Sequence, residues 1–253
     1  MVVIVVANRK GGVGKTTVSA NLAYELSKMG FLTVMVDLDG QCDLSKVYSL
    51  DSIQSYNILD VLTDQCELDD AVIEIETNLY AVPGSREITH YKGNDAGEKL
   101  SQKLSNESLE LVEFVIIDTP PNLNEATLEG LIAANEVLIV TDAETFGIDN
   151  ISNFLDDLQS IKQAMNRKLH VIGVVANRVD FRRNLTKTKI MELRKALGRN
   201  MFNTLITNNT AIPTSISRKT PIRGLGRASD SLKQFRELTN EILERLGIQN
   251  GNG

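Results

Sequence analysis

The 253-residue chain contains only two cysteines and no long apolar segment. Two thiols cannot build a disulfide framework, and one pair lacks the four ligands of a structural zinc site. No run approaches the roughly 20 apolar residues of a membrane span. The apolar start, residues 1–7, is too short for a signal peptide and has no basic residue before it. We therefore expect a cytoplasmic protein whose cysteines are reduced.

Basic residues are outnumbered by acidic ones, and the net charge is −6. The charged residues are nevertheless distributed unevenly along the chain. Residues 178–236 contain fourteen Lys or Arg and three Asp or Glu, a net +11, so the rest of the chain carries −17. A sign asymmetry of this size predicts a partner that is recognised through charge.

Two kinds of apolar segment alternate along the chain. Short β-branched runs are typical of strands buried on both faces of a parallel sheet, and segments of helical periodicity lie between them. We find no linker, repeat or low-complexity segment. The pattern predicts an α/β protein with a mostly parallel twisted sheet flanked by helices on both faces, in one domain over 1–247 with a disordered tail at 248–253. The predicted strands are 2–6, 32–36, 79–82, 114–117, 137–140, 169–176 and 201–206, and the predicted helices are 18–29, 125–134, 148–165, 186–197 and 230–246.

A glycine-rich loop joins the first predicted strand to the first predicted helix, and this context makes it a phosphate-binding (Walker A) loop. Glycines let backbone N–H groups turn inward and approach phosphates closely, and the helix that follows adds its dipole. Lys15 is expected at the β- and γ-phosphates, the Thr16 hydroxyl on Mg²⁺ and Thr17 at the α-phosphate. The sequence therefore predicts a single P-loop NTPase domain that binds ATP and Mg²⁺ with residues Gly11, Gly12, Val13, Gly14, Lys15, Thr16 and Thr17.

Three carboxylates follow buried strands and should meet this loop, because parallel strands end at the same edge of a sheet. Asp118 ends the strand at 114–117 and matches a Walker B residue that holds Mg²⁺ through water. Asp37 and Asp39 follow the second strand. One of them would orient the attacking water, and the other would orient the loop or the metal shell.

These residues resemble the ParA/MinD superfamily of P-loop ATPases with a deviant Walker A loop. The loop at 10–17 has the extra lysine of that superfamily, 37–41 is similar to its switch I, and 115–121 to its Walker B and switch II. The segments 174–180, 202–209 and 220–222 extend the resemblance over nearly the whole chain. Departures from the pattern are Gly40 and Thr207, where the superfamily usually has proline.

The resemblance implies roles for further residues. Lys10 would reach across an ATP-dependent homodimer to the phosphates bound by the partner subunit, in the manner of an arginine finger. Asp39 would position the attacking water, and Asp37 would belong to the metal shell with Thr16 and Asp118. Asn177 would read the adenine edge, assisted by backbone near Thr207.

Within the superfamily, the basic region favours a ParA-type DNA-partition ATPase that binds double-stranded DNA without sequence preference. Because the chain begins at its first core strand, it resembles the short form without an amino-terminal helix-turn-helix domain. The resemblance implies nucleoid association, partition of a plasmid or chromosome, and weak hydrolysis stimulated by a ParB-like centromere-binding protein. Arg183 resembles a DNA-contacting position of the family, and the full set of candidate DNA-binding residues is Arg183, Lys187, Arg194, Arg218, Lys219 and Arg223.

Three alternatives remain open. A MinD-like ATPase would bind membranes through a basic carboxyl-terminal amphipathic helix, but the final helix here carries Glu237, Glu241 and Glu244, and no membrane partner is expected. A reductase of the nitrogenase iron-protein type would bridge two subunits with a cluster, and neither Cys42 nor Cys66 follows the Walker B strand. A small-molecule kinase or ligase would need a second-substrate pocket that the sequence does not mark.

Overall fold

The computed structural model describes residues 1–53, 55–93, 97–142, 148–208 and 230–249. Within them, eight strands form one sheet in the order β3-β4-β2-β5-β1-β6-β7-β8. All neighbouring pairs are parallel except β3 and β4. The strands are β1 (Val2–Ala7), β2 (Thr33–Asp37), β3 (Ile73–Glu76), β4 (Leu79–Val82), β5 (Phe114–Asp118), β6 (Glu136–Asp142), β7 (His170–Val179) and β8 (Met201–Thr207).

Nine α-helices are described, and four of the five longest connect successive parallel strands. They are α1 (Lys15–Lys28), α2 (Asp43–Val47), α3 (Ile58–Leu62), α4 (Leu68–Ala71), α5 (Lys99–Leu104), α6 (Glu125–Ala133), α7 (Ile148–Ala164), α8 (Asn184–Leu197) and α9 (Asp230–Arg245). None of these helices is long and apolar enough to cross a membrane.

The central strand β1 serves two hydrophobic cores, one on each face of the sheet. Val3 and Val5 join the core that contains α6 and α7, whereas Ile4 and Val6 join the core that contains α1 and α9. Successive side chains of a strand point to opposite faces, so a continuous apolar run is required when both faces are covered. The prediction of a mostly parallel sheet with helices on both faces is confirmed.

Helix α1 ends at the glycine that the sequence marks as its stop. Gly30 has φ +98, a left-handed conformation that favours glycine. Its N–H donates to Ser27 O at 3.1 Å, and the Phe31 N–H donates to Leu26 O at 3.2 Å. These two bonds form a Schellman motif, which satisfies carbonyls that the helix end would leave unpaired.

Strand β3 and the short helices α2 to α5 were not predicted. Helices of four to six residues are too short to display a helical period. Strand β3 reads Ile-Glu-Ile-Glu and lies at the sheet edge, antiparallel to β4, with Glu74 exposed and its other residues partly buried. Its charged residues suit an edge strand, but they remove the apolar run by which the other strands are recognised. The final strand and helix match their predicted ranges to within a residue.

Candidate active site

The residues singled out from the sequence lie at the carboxyl edge of the sheet. In the parallel register Val6 pairs with Asp118, and Asp118 pairs with Asp37. The glycine-rich loop therefore leaves β1 beside two carboxylates. Asn177 lies two strands away on the other side, where it pairs with Asp142 of β6.

The loop after β1 is shaped by two glycines in the left-handed region. Gly12 has φ +74, and Gly14, with φ +92, is the N-cap residue directly before α1. A Cβ on Gly14 would also collide with the Asn177 amide. The first N–H groups of a helix have no partner within the helix, and the first turn of α1 contains no acidic side chain. This arrangement is suited to binding an anion.

Two lysines belong to the same loop. Lys15 is buried, and its Nζ lies 3.4 Å from the Lys10 carbonyl oxygen. Burial lowers the pKa of Lys15, while Asp118 and Asp39 act in the opposite direction. The Lys10 Nζ lies 4.0 Å from Asp142 Oδ2 on β6. The phosphate-loop lysine is thus held inside the site, and the second lysine lies at its β6 side.

Asp118 is a buried carboxyl group with one oxygen unpaired. Ser19 Oγ donates to its Oδ1 at 3.0 Å, whereas Oδ2 has no hydrogen-bond partner among the described residues. Burial raises the pKa of Asp118 to about 8, and the neighbouring Asp37 adds to the rise. The nearby Thr16 hydroxyl and Lys15 oppose part of it. A buried oxygen without a donor is destabilising unless a cation or its water occupies that side.

Asp37 holds the loop that follows β2. Its Oδ2 accepts hydrogen bonds from Ser45 N at 2.9 Å and Ser45 Oγ at 2.6 Å, and its Oδ1 accepts from Asp39 N at 3.2 Å. Burial raises the pKa of Asp37 to about 6, although the bonds from Ser45 oppose the rise. These contacts give Asp37 a role in ordering the loop. Its predicted place in a metal shell stays a prediction.

Asp39 lies at the open side of the site. It is only partly buried, and its Oδ1 accepts a hydrogen bond from Gln41 N at 2.9 Å. Gly40 beside it is buried, and a Cβ there would lie 3.3 Å from the Arg86 carbonyl oxygen. The residue that replaces the usual proline thus permits close packing of this loop on the turn at Arg86–His90.

Two site residues were missed by sequence reasoning. Ser45, on α2, bonds Asp37 and also accepts the Gly84 N–H at 2.8 Å. Arg178 donates to the Gly12 carbonyl oxygen at 2.7 Å. Arg178 lies in the segment 174–180 that resembles the superfamily, but no local pattern assigns these contacts to either residue, because the tertiary fold sets them.

The two residues expected near the adenine base have protein partners. The Asn177 Nδ2 donates to Val13 O at 2.9 Å, and its Oδ1 accepts from Arg178 N at 2.9 Å. The backbone N–H and the hydroxyl of Thr207 both donate to Gln234 Oε1, at 2.9 and 3.1 Å. Asn177 is therefore part of the support of the phosphate loop, and Thr207 joins β8 to α9. Their contact with a base stays a prediction.

Half of the predicted DNA-binding residues are described. Arg183 and Lys187 are exposed where α8 begins. Arg194 is partly buried, and its guanidinium donates to Asn203 O at 2.9 Å. The other three, Arg218, Lys219 and Arg223, lie outside the described residues, as do the matching segment at 220–222 and residues 250–253 of the predicted tail.

The fold and the geometry of this edge define a P-loop NTPase. The chain belongs to the family described as "AAA domain", which matches residues 1–171. It is 28% identical over 249 residues to the chromosome-partitioning ATPase Soj of Treponema pallidum, covering 96% of this chain and 98% of that protein. The resemblance to ParA-type ATPases is confirmed over nearly the whole length.

Solved structures share the fold. A variant of Cyanothece McdA in complex with ATP superposes with a TM-score of 0.84 and 21% identity, over 98% of this chain and 97% of that one. Cobyrinic acid a,c-diamide synthase of Mycobacterium smegmatis, with a bound ATP analogue and magnesium, gives a TM-score of 0.81 and 23% identity, over 98% and 96%. At these identities the likeness concerns the fold.

Proposed function

We propose that this protein is a DNA-partition ATPase. It binds Mg·ATP, dimerises, holds double-stranded DNA without sequence preference, and releases it after hydrolysis. A ParB-like centromere-binding partner stimulates hydrolysis, and the pair moves a plasmid or chromosome locus in the nucleoid. The observation that carries the proposal is the convergence of the phosphate loop, Lys15 and the unpaired Asp118 oxygen at one edge of the sheet.

The site fits Mg·ATP. The loop N–H groups and the start of α1 would bind the phosphates, and Lys15 would contact the β and γ oxygens. Thr16 and the unpaired Asp118 oxygen would hold Mg²⁺. No group of three or more His, Cys, Asp or Glu side chains among the described residues is arranged to hold a metal alone. Mg²⁺ usually takes one or two carboxylates together with waters and phosphates. When bound, Mg²⁺ neutralises charge on the transferring phosphoryl group.

Hydrolysis is assigned to residues at the open side of this edge. Asp39 would orient the attacking water, because its carboxylate is only partly buried and lies near enough to raise the pKa of Lys15. Lys10 would supply positive charge to the phosphates of the partner subunit, which makes turnover depend on dimerisation. The Lys10 Nζ lies 4.0 Å from Asp142 Oδ2, and an ion pair of this length is weak enough for Lys10 to leave Asp142 and bind a phosphate.

DNA binding is assigned to the start of α8. Arg183 and Lys187 are exposed there, and they belong to a region of net charge +11. Cations that neutralise DNA phosphates release condensed counterions, so affinity is independent of sequence and falls steeply with salt. Arg194 has less freedom to contact DNA because it also bonds Asn203 O. The relative from Treponema pallidum, a chromosome-partitioning ATPase, supports this branch of the superfamily.

A membrane-associated, MinD-like function is less well supported. The apolar residues of α9, among them Phe235, Leu238 and Ile242, are buried in the core with α1. That face is therefore used within the fold and is not offered to a lipid surface. The alternative based on an iron–sulfur cluster is also disfavoured, because Cys66 packs against the core around α6 and α7, whereas Cys42 is buried where α2 begins.

Binding to random-sequence duplex DNA tests the proposal. The protein would be titrated without nucleotide, with ADP, with ATP and with a non-hydrolysable ATP analogue, each at about 50 and about 200 mM salt. We expect tight binding only with ATP or the analogue, with affinity about 1000-fold lower at the higher salt for six phosphate contacts. Equal DNA binding in all nucleotide states, or none in any state, would refute it. Tight ATP binding without DNA binding would instead direct attention to anionic vesicles and to small-molecule substrates.

A further inference from the structure

Strand β7 carries an irregularity beside the phosphate loop. Between the pairs Ala176–Leu205 and Val179–Thr207, β7 advances by three residues while β8 advances by two. One extra residue is thus inserted into β7, which is the definition of a β-bulge. Arg178 lies in this bulge with φ +56, a left-handed conformation that non-glycine residues rarely adopt. Bulges near functional sites commonly redirect side chains.

The bulge directs two consecutive side chains to two consecutive carbonyls of the phosphate loop. Arg178 Nη1 donates to Gly12 O at 2.7 Å, and Asn177 Nδ2 donates to Val13 O at 2.9 Å. The Asn177 Oδ1 accepts the Arg178 N–H at 2.9 Å, which fixes the amide orientation. We name this pair of contacts the carbonyl clamp.

The carbonyl clamp determines where two loop N–H groups point. In a planar trans peptide the C=O of one residue and the N–H of the next point in opposite directions. Holding Gly12 O and Val13 O towards β7 therefore turns the N–H groups of Val13 and Gly14 away from β7, towards the concave side of the loop. Those N–H groups belong to the part of a phosphate loop that binds phosphate oxygens.

The backbone conformation of Arg178 is strained. A non-glycine residue in the left-handed region is destabilised relative to the ordinary extended or right-handed conformations. Glycine would remove this strain but would lose the guanidinium. Strain of this kind at the edge of a ligand site suggests that the side chain is kept for what it does there.

We propose that Arg178 is a positioning residue for phosphate binding, which acts by holding the Gly12 carbonyl so that the loop N–H groups face the nucleotide. The inference rests on the proposed ATP site. It adds Arg178 to that site as a cation that acts through the loop backbone. Its contribution is to hold the loop in the phosphate-binding conformation before the nucleotide arrives.

Arg178→Gly separates this role from a role in folding, because glycine favours φ +56. We expect its melting temperature without nucleotide to equal or exceed that of the wild type. The Kd for Mg·ADP, measured calorimetrically without DNA, should rise about tenfold, as expected for loss of one charge-assisted hydrogen bond. Arg178→Lys should recover part of the affinity.

Arg182→Ala is the matched control. It removes the same charge four residues away, and the Arg182 guanidinium bonds Asp180 at 2.8 and 2.6 Å instead of the loop. Its Kd for Mg·ADP should be unchanged. An equal loss of affinity in Arg178→Gly and Arg182→Ala would show that the effect comes from long-range charge, and it would overturn the inference. So would unchanged affinity in Arg178→Gly, or a loss of affinity matched by a lower melting temperature. If the wild type itself binds no ADP or ATP, the proposed function fails first.

Discussion

Replacing Asp118 by Asn should stabilise the nucleotide-free protein and abolish its use of magnesium. The carboxyl group is fully buried, its Oδ2 has no hydrogen-bond partner among the described residues, and its pKa is raised to about 8. An acid whose pKa is higher in the folded state than in the unfolded state binds its proton more tightly when folded. Its ionisation therefore opposes folding at every pH above the unfolded value, near 3.8.

The size of the stability gain follows from the difference between the folded and unfolded pKa values of Asp118. One pKa unit corresponds to about 1.4 kcal/mol, so a rise of about four units sets a ceiling of about 5 kcal/mol at pH 8. We expect about 2 kcal/mol to be realised, since the asparagine amide is itself a buried polar group that needs partners. The gain of Asp118→Asn over the wild type should grow from pH 5 to pH 8.

Urea unfolding at pH 5, 6, 7 and 8 without Mg²⁺ measures this gain. Asp180→Asn is the matched control: Arg182 lowers the pKa of Asp180 to about 2, so that carboxylate stays ionised over the whole range and the effect of its replacement should not vary with pH. A pH-independent difference for Asp118→Asn, or a less stable variant at pH 8, would refute the reasoning. The same variant should show no Mg²⁺-dependent gain in ATP affinity.

Three further substitutions test the other parts of the site. Gly14→Ala should lower ATP affinity at least 100-fold in equilibrium binding. Left-handed strain and the clash with Asn177 together should cost about 3 kcal/mol. Normal affinity would contradict the loop geometry. Asp39→Ala should retain ATP binding and accumulate an ATP dimer in size-exclusion chromatography, and unimpaired turnover would exclude its water-positioning role. Arg183→Ala should weaken DNA binding several-fold and lower the salt slope by about one, with ATP hydrolysis unchanged; an unaltered DNA isotherm would move the DNA surface elsewhere.

The part of the site that follows from the sequence is the part built by neighbouring residues. Residues 2–18 predict a strand buried on both faces, a glycine-rich turn and the start of a helix, because each of these depends on local conformation. Asp118 could be placed as well, since the strand before it is an unbroken apolar run and parallel strands end at one edge.

The parts that could not be predicted depend on contacts that the tertiary fold sets. Ser45 reaches Asp37 only because α2 folds back over the end of β2. Arg178 reaches Gly12 across 166 positions of sequence, through a bulge set by the register of β7 on β8. Tertiary pairing of this kind leaves no periodicity in either segment, so composition and spacing do not reveal it.

The central position of β1 has a consequence for how the molecule opens. β1 lies between β5 and β6, and Val3, Ile4, Val5 and Val6 are all at most 3% exposed. In native-state hydrogen exchange, amides of such a strand are released only by global unfolding, whereas edges and surface helices open in smaller units. The phosphate loop begins where this strand ends. The amino-terminal end of the loop is therefore attached to a strand whose amides should be among the last to exchange. Local opening of the α8 surface need not disturb it.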